Sequence, residues 1–87
     1  MTPLQKVVIV DDHAMFRSGV RSELGTAVDV VAEAEDVDTA VAAVITHRPD
    51  VVLLDVHLPG GGGAEVMRRT AMKAPDTRFL AVIVLVT

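Results

Sequence analysis

Two short apolar runs, each ending in acid, constrain the fold of this chain more than any other feature. Residues 7–10 read Val-Val-Ile-Val and are followed by Asp11 and Asp12, and residues 51–54 read Val-Val-Leu-Leu and are followed by Asp55. Such continuous aliphatic runs are typical of strands buried in a parallel sheet. Because ligands of open α/β sheets bind outside the carboxyl ends of the strands, we expect three carboxylates in one crevice. Crowded carboxylate oxygens are ligands for a hard divalent cation such as Mg²⁺.

The composition limits both the size of the core and the kind of partner. The chain has 87 residues, so we expect one domain at most, with a core built from the aliphatic residues that dominate its 51% hydrophobic content. Eight Lys and Arg stand against twelve Asp and Glu, and aromatic residues make up 2%. We expect neither a basic surface that binds a phosphate backbone nor aromatic side chains on which bases could stack. We therefore predict no direct nucleic-acid binding by this chain.

The chain contains no cysteine, which excludes a disulfide framework and a thiolate metal site and fits a reducing cytoplasm. The first apolar run is too short, and too acidic after its end, for a signal peptide or a membrane span. The eight consecutive apolar residues 79–86 are also far below spanning length for a helix and indicate a buried strand. We expect a cytoplasmic protein without a membrane segment.

Strand and helix patterns alternate along the whole chain. We predict strands at residues 6–10, 28–34, 51–54 and from about 78, and helices at about 13–25, 38–47 and 64–73. The order β-α-β-α-β-α-β predicts an α/β fold with a mostly parallel sheet, helices on both faces and right-handed crossovers.

The sequence allows specific expectations for three segments. Strand three is apolar throughout and is expected to be covered on both faces. Strand two alternates as a half-exposed edge strand does, and its predicted inner face comprises Val28, Val30, Ala32 and Ala34. The four glycines at residues 60–63 are expected to form a flexible turn, because no Gly-Lys-Ser or Gly-Lys-Thr follows them.

Three motifs, in this order, resemble the receiver domain of two-component response regulators. They are Val-Ile-Val-Asp-Asp-His at residues 8–13, Phe-Arg-Ser-Gly-Val at 16–20, and Pro-Asp-Val-Val-Leu-Leu-Asp-Val-His-Leu-Pro-Gly at 49–60. The first two are more narrowly similar to the NarL/FixJ-like subfamily, whose receivers usually precede a helix-turn-helix DNA-binding domain. The resemblance covers residues 6–81 and implies an incomplete flavodoxin-like, or CheY-like, parallel sheet with the strand order 2-1-3-4.

The resemblance also implies a role for each acid. Asp55 matches the phosphoacceptor, which takes a phosphoryl group from a sensor histidine kinase to form an aspartyl phosphate. Asp12 and Asp55 match ligands of Mg²⁺, Asp11 matches a ligand through water, and the main-chain carbonyl of His57 matches a further ligand. A metal that bridges carboxylates and phosphoryl oxygens reduces the repulsion between the two anions. The implied function is signalling through a downstream, DNA-binding output domain that is not in this chain, rather than enzymatic turnover.

The chain departs from the family pattern near its C-terminal end. The family carries a Ser or Thr at the end of strand four and a Lys at the end of a later strand. Here the hydroxyl position falls near Ile83, Thr87 is the candidate switch hydroxyl, and the chain has no candidate for the switch lysine. We interpret residues 1–87 as one partial receiver domain, truncated or altered, without the last helix, strand and helix of the family. Its apolar strand four would form an unprotected sheet edge, which predicts a homodimer or higher oligomer through residues 79–86.

Two other function classes stay open. A receiver fragment that cannot be phosphorylated could act only as a dimerisation or interaction module. A phosphatase of the haloacid-dehalogenase type also carries aspartates after strand one, but it needs Asp-x-Asp, with one acid as nucleophile and the other as acid/base, whereas Asp11 and Asp12 are adjacent. His13 is interpreted as a first-turn residue of helix one that lies beside the site.

Overall fold

The structure, a computed structural model, describes residues 3–82, and in these residues four strands alternate with three helices. The elements are β1 (Lys6–Val10), α1 (Ala14–Leu24), β2 (Asp29–Ala34), α2 (Val37–His47), β3 (Val51–Asp55), α3 (Gly62–Thr70) and β4 (Arg78–Val82). The strands form one sheet in the order β2-β1-β3-β4, and each neighbouring pair is parallel. The predicted α/β architecture and strand order are confirmed.

The two faces of the sheet are covered unequally. On one face α2 and α3 pack over the strands and enclose a buried cluster formed by Val8, Val10, Ala34, Val37, Ala40, Val41, Val44, Val52, Leu54, Leu58, Val66 and Ala74. On the opposite face lies α1, none of whose residues is buried. There Val51 and Leu53 of β3 are only partly buried, and Leu80 of β4 is 57% exposed. The prediction that strand three is covered on both faces is therefore wrong for the α1 face, where these β3 side chains are left partly exposed.

Strand β2 lies at an edge of the sheet, as its alternation predicted, but it is interrupted by a bulge. The register shifts so that Val30 lies opposite Val7 and Ala32 lies opposite Val8. Because successive residues of β1 face opposite sides of the sheet, Val30 and Ala32 also face opposite sides. The prediction that these two residues share a face is therefore wrong. The extra residue turns Glu33, which lies opposite Ile9, toward the α1 face.

Helix α2 begins at a capping box formed by Asp36 and Thr39. Asp36 Oδ1 accepts a hydrogen bond from the Thr39 N–H at 2.8 Å, and Thr39 Oγ1 accepts one from the Asp36 N–H at 3.3 Å. The bond from the Thr39 backbone, followed by the bond from its side chain, lowers the pKa of Asp36 below its usual 3.8. Since the folded-state pKa is the lower one, the cap stabilises the fold above pH 3.8 and its contribution is lost as the pH falls through the lowered value.

The other helix boundaries differ modestly from those predicted. Helix α1 is bounded by His13 and Gly25 as its caps, so both residues flank the helix. Helix α3 begins at Gly62 rather than near residue 64 and ends at Thr70 rather than near residue 73. Among residues 3–82, no helix combines the length and the hydropathy that crossing a membrane requires.

The glycine run brings α3 unusually close to β3. Gly60, Gly61 and Gly62 adopt positive φ angles of 86°, 102° and 69°, so the run turns the chain with a left-handed backbone. Gly63 then packs directly on β3, because a Cβ added there would lie 2.7 Å from Leu54 Cδ2. Leu54 belongs to the buried cluster, so its side chain has little room to move aside. The run is thus a turn, as predicted, and its last residue is also a packing contact.

We predict that Gly63→Ala destabilises the fold by about 1–3 kcal/mol, the usual cost of inserting a methyl group into a well-packed core. Gly19→Ala is the matched control, because nothing lies within 4 Å of a Cβ added at Gly19 in the middle of α1. There the removal of backbone freedom should stabilise the protein by about 0.5–1 kcal/mol. Urea unfolding of the two variants checks both signs, and an unchanged or raised stability of Gly63→Ala would contradict the close packing of α3.

Candidate functional site

The carboxyl ends of β1 and β3 bring the predicted acids together. The two strands are adjacent and parallel, so the residues that follow them lie at the same edge of the sheet. Asp11, Asp12, His13 and Asp55 each offer one potential metal-ligand atom, and these atoms lie within 4.8 Å of one another. We call these four residues the acidic pocket. All three carboxylates that the sequence predicted at this edge therefore lie in it.

The acids of the pocket differ in burial and in hydrogen bonding. Asp11 and Asp55 are 1% and 6% exposed, whereas Asp12 is exposed. Asp11 Oδ1 accepts a hydrogen bond from the main-chain N–H of His13 at 2.7 Å, and Asp55 Oδ1 accepts one from the main-chain N–H of His57 at 2.9 Å. These two bonds orient the buried carboxylates at the ends of their strands.

One buried oxygen of the pocket has no partner in the part of the chain that the structure describes. It is Oδ2 of Asp11. Leaving a buried carboxylate oxygen without a hydrogen bond or a counter-charge is energetically costly, and such a group calls for a physical reason. A bound cation, or a water molecule held by one, would provide that reason. Three carboxylates that crowd together repel one another as well, so the donor set fits Mg²⁺, a hard divalent cation that prefers oxygen ligands.

His13 is the residue of the acidic pocket that lies at the start of α1. It is the N-cap of α1 rather than a residue of its first turn. Its Nδ1 lies 3.0 Å from Asp11 Oδ1 and 2.9 Å from Asp12 Oδ1, although 73% of the side chain is exposed. The ring therefore contacts both neighbouring acids, a contact that the sequence interpretation did not include.

The structure gives less information about the other predicted site residues. His57 lies in the turn that follows β3, and the role of its main-chain carbonyl as a metal ligand stays a prediction. Thr87, the candidate switch hydroxyl, lies outside the described residues, as does Ile83. Of the predicted dimer segment, residues 79–82 are described and form most of β4.

Two residues that lie beside the acidic pocket, Arg17 and Glu33, were not predicted from the sequence. Arg17 of α1 donates through Nη1 to the main-chain carbonyl of Asp11 at 2.6 Å and through Nε to Glu33 Oε1 at 3.1 Å. One sequence feature could have indicated this contact. Arg17 and Arg21 are four residues apart and therefore lie on one face of the helix, and an acid occurs in the next strand of the chain. The bulge in β2 decides which face that acid occupies, and the sequence pattern did not show it.

Comparisons with known proteins identify the class to which this architecture belongs. A parallel sheet with the order 2-1-3-4 and acids at the carboxyl ends of β1 and β3 defines a receiver-type fold, and the family model described as "Response regulator receiver domain" matches residues 7–86. The chain belongs to the response regulator receiver domain family of two-component systems. This assignment confirms the resemblance found in the sequence and overturns the phosphatase alternative.

Several of the similar proteins are of the NarL/FixJ type, as predicted. The DNA-binding transcriptional activator DevR/DosR of Mycobacterium tuberculosis is 47% identical over 77 residues, which cover 86% of this chain and 36% of the relative. The transcriptional regulatory protein DegU of Brevibacillus brevis is 39% identical over 77 residues, which cover 86% of this chain and 33% of the relative. The chain thus spans about a third of the length of these curated relatives.

A solved structure supports the same fold. The signal receiver domain of the NarL response regulator from Mycobacterium tuberculosis superposes with a TM-score of 0.85 at 36% identity, over 99% of this chain and 71% of that chain.

If the acidic pocket holds Mg²⁺, the cation should raise the thermal unfolding midpoint in a saturable way, since it binds the folded state alone. At a hundredfold excess over its dissociation constant, the gain in free energy of unfolding is about 2.7 kcal/mol. Asp12→Asn should remove most of this gain, and thermal unfolding at increasing Mg²⁺ concentration measures it. Asp76→Asn, which removes an exposed acid in the turn before β4, is the matched control. Equal loss in both variants would indicate nonspecific screening instead of a site.

Proposed function

We propose that this chain is a phosphoaccepting receiver, in which Asp55 takes a phosphoryl group from a sensor histidine kinase in a Mg²⁺-dependent reaction. The observation that supports this function most directly is the convergence of a buried carboxylate on β3 with two acids from the end of β1, with ligand atoms within 4.8 Å. Gathering acids from distant segments costs stability through burial and mutual repulsion, and a bound cation can offset that cost.

In this proposal Asp55 is the nucleophile. Its Oδ1 is held by the His57 N–H, which fixes the rotation of the carboxylate, and the new P–O bond forms at Oδ2 as the P–N bond to the kinase histidine breaks. The departing histidine nitrogen keeps the electron pair of that bond. A bound Mg²⁺ would supply positive charge that lowers the repulsion between the phosphoryl oxygens and the carboxylates.

The two acids that follow β1 would have different tasks. Asp12 is exposed and can contact a cation directly from the solvent side. Asp11 is buried, and one of its oxygens already accepts the His13 N–H, which suits a ligand acting through water. The main-chain carbonyl of His57 is proposed as a further oxygen ligand. Asp55 completes the set.

The wider role is also part of the proposal. Two similar proteins are described as a DNA-binding transcriptional activator and as a transcriptional regulatory protein, so we infer that phosphorylation would control an output domain of that kind. This chain itself, with a net charge of −4, is not proposed to contact nucleic acid. We place the protein in the cytoplasm, where such regulators work, and assign it no catalytic turnover of a separate substrate.

We predict that incubation with acetyl phosphate and Mg²⁺ adds one phosphoryl group, detected by intact-protein mass spectrometry, and that chelation of the metal prevents the addition. Asp55→Asn should abolish it, because an amide is not a nucleophile toward phosphorus under these conditions. Asp76→Asn should be phosphorylated like the unchanged protein. Phosphorylation of Asp55→Asn to the same extent would exclude Asp55 as the acceptor.

A second candidate function, an interaction module that is not phosphorylated, is favoured by the exposed edge of the sheet. In β4, Leu80 is 57% exposed and Ala81 is also exposed, while its neighbour Leu53 on β3 is partly buried. An apolar edge strand with a free hydrogen-bonding side favours pairing with another chain. We propose a homodimer or higher oligomer through residues 79–86 under either function.

We predict that Leu80→Lys shifts the protein toward monomer in sedimentation velocity experiments, because a charge on an edge strand opposes pairing. Met72→Lys is the matched control, since Met72 is 92% exposed in the turn after α3 and the change is of the same kind. A monodisperse monomer of the unchanged protein would contradict the dimer, and a dimer that acetyl phosphate does not modify would favour the interaction module.

A further inference from the structure

Both polar groups of the Asp11 backbone are held by hydrogen bonds. The Asp11 N–H donates to the main-chain carbonyl of Ala34 in β2 at 3.0 Å. The Asp11 carbonyl accepts from Arg17 Nη1 at 2.6 Å. Because this carbonyl belongs to the peptide plane from which the backbone of Asp12 continues, its orientation determines where the Asp12 carboxylate enters the acidic pocket.

Arg17 is itself fixed by a second contact. Its side chain is 15% exposed, and its Nε lies 3.1 Å from Glu33 Oε1. The planar guanidinium can thus bond a carboxylate and a carbonyl at the same time, which the single ammonium group of a lysine does less well. The bulge in β2 places Glu33 on this face of the sheet, so three segments of the chain meet at one side chain.

We propose that Arg17 is a positioning residue that orients Asp12 for cation binding by holding the Asp11 carbonyl, and that Glu33 keeps the guanidinium in place. This inference rests on the proposed metal-dependent function of the acidic pocket. Arg17 does not touch the cation or the phosphoryl group. It acts through the backbone that carries two of the acids.

Arg21 provides a natural comparison. It lies one turn further along α1 and donates through Nη1 to Glu33 Oε2 at 2.6 Å, but its side chain is 53% exposed, and among the described residues its side chain is hydrogen-bonded to Glu33 alone. Arg17 and Arg21 therefore share a helix, a charge and a partner. They differ in the contact with the Asp11 carbonyl.

The positive charge of Arg17 and its contact with the Asp11 carbonyl predict opposite effects of its removal on Mg²⁺ affinity. A guanidinium near the pocket repels a divalent cation, so its loss would strengthen Mg²⁺ binding if charge alone mattered. Loss of a group that orients a ligand typically weakens metal binding by about 10–100-fold. A weaker affinity after removal of this positive charge can therefore be assigned to positioning.

The test is a calorimetric titration of the unphosphorylated protein with Mg²⁺, combined with its thermal unfolding without metal. Arg17→Met should weaken Mg²⁺ binding by about tenfold or more. Arg21→Met should bind Mg²⁺ within about twofold of the unchanged protein, because it removes a contact of similar strength to Glu33 without moving the pocket. Arg17→Lys, which keeps the charge, should recover part of the affinity.

Each outcome decides the proposal. Equal Mg²⁺ affinities of Arg17→Met and Arg21→Met would overturn it, and so would an unchanged protein that binds no Mg²⁺. If Arg17→Met does not fold, Arg17→Lys decides: a several-fold weaker affinity at an unchanged unfolding midpoint supports positioning, and an unchanged affinity refutes it. Because Mg²⁺ binding is measured directly, a protein that shows the Arg17 effect but is not phosphorylated on Asp55 would refute the proposed function and uphold this inference.

Discussion

The parallel pairing of β1 with β3 is the interaction on which the rest of the structure depends. Val8 lies opposite Val52 and Val10 lies opposite Leu54, and all four belong to the buried cluster. Aliphatic contacts thus stabilise two strands whose ends carry mutually repelling charges. A slip of the register by one residue would turn the apolar set to the other face, and the acids at the strand ends would separate. Burial on one side of the sheet is therefore what keeps the acidic pocket assembled.

The unequal cover of the sheet divides the molecule into a packed side and a polar side. The α2 and α3 side is closed by aliphatic packing, and the contact of Gly63 with Leu54 leaves α3 little freedom to shift. On the other side, α1 contributes no buried residue and is tied to β2 by ion pairs of Arg17 and Arg21 with Glu33. The pocket lies where these two kinds of attachment meet. There the hydrogen bond from Arg17 to the Asp11 carbonyl adds to the packing that holds β1 and β3 together.

The sequence predicted the fold well where apolar patterns are continuous. Strand β1 has the predicted bounds, and the strand order and the meeting of Asp11, Asp12 and Asp55 follow from uninterrupted aliphatic runs with acid at their ends. Boundaries were less accurate where tertiary contacts outweigh local preference, as in α3, which begins inside a glycine run of poor helix propensity because close approach to β3 requires glycine there.

The features that could not be predicted depend on groups distant in sequence. The bulge at β2 arises in pairing with β1, and an alternating pattern of small apolar residues does not show where an extra residue enters. The contacts of His13 with two carboxylates and of Arg17 with a main-chain carbonyl depend on side-chain rotation. Long polar side chains at a helix start are usually solvated, and Arg17 differs from such a residue through its contacts with Glu33 and with the Asp11 carbonyl.

The bulge also means that β2 contains one residue more than its pairing with β1 requires. With Val31 present, Ala32 and Ala34 face the core and Glu33 faces α1. Loss of Val31 would restore one-to-one pairing with β1 and leave Ala32, Glu33 and Ala34 opposite Val8, Ile9 and Val10, on their present faces. The strand can therefore lose its extra residue without exchanging its faces, in keeping with its position at the edge of the sheet, where changes of length are ordinarily absorbed with ease.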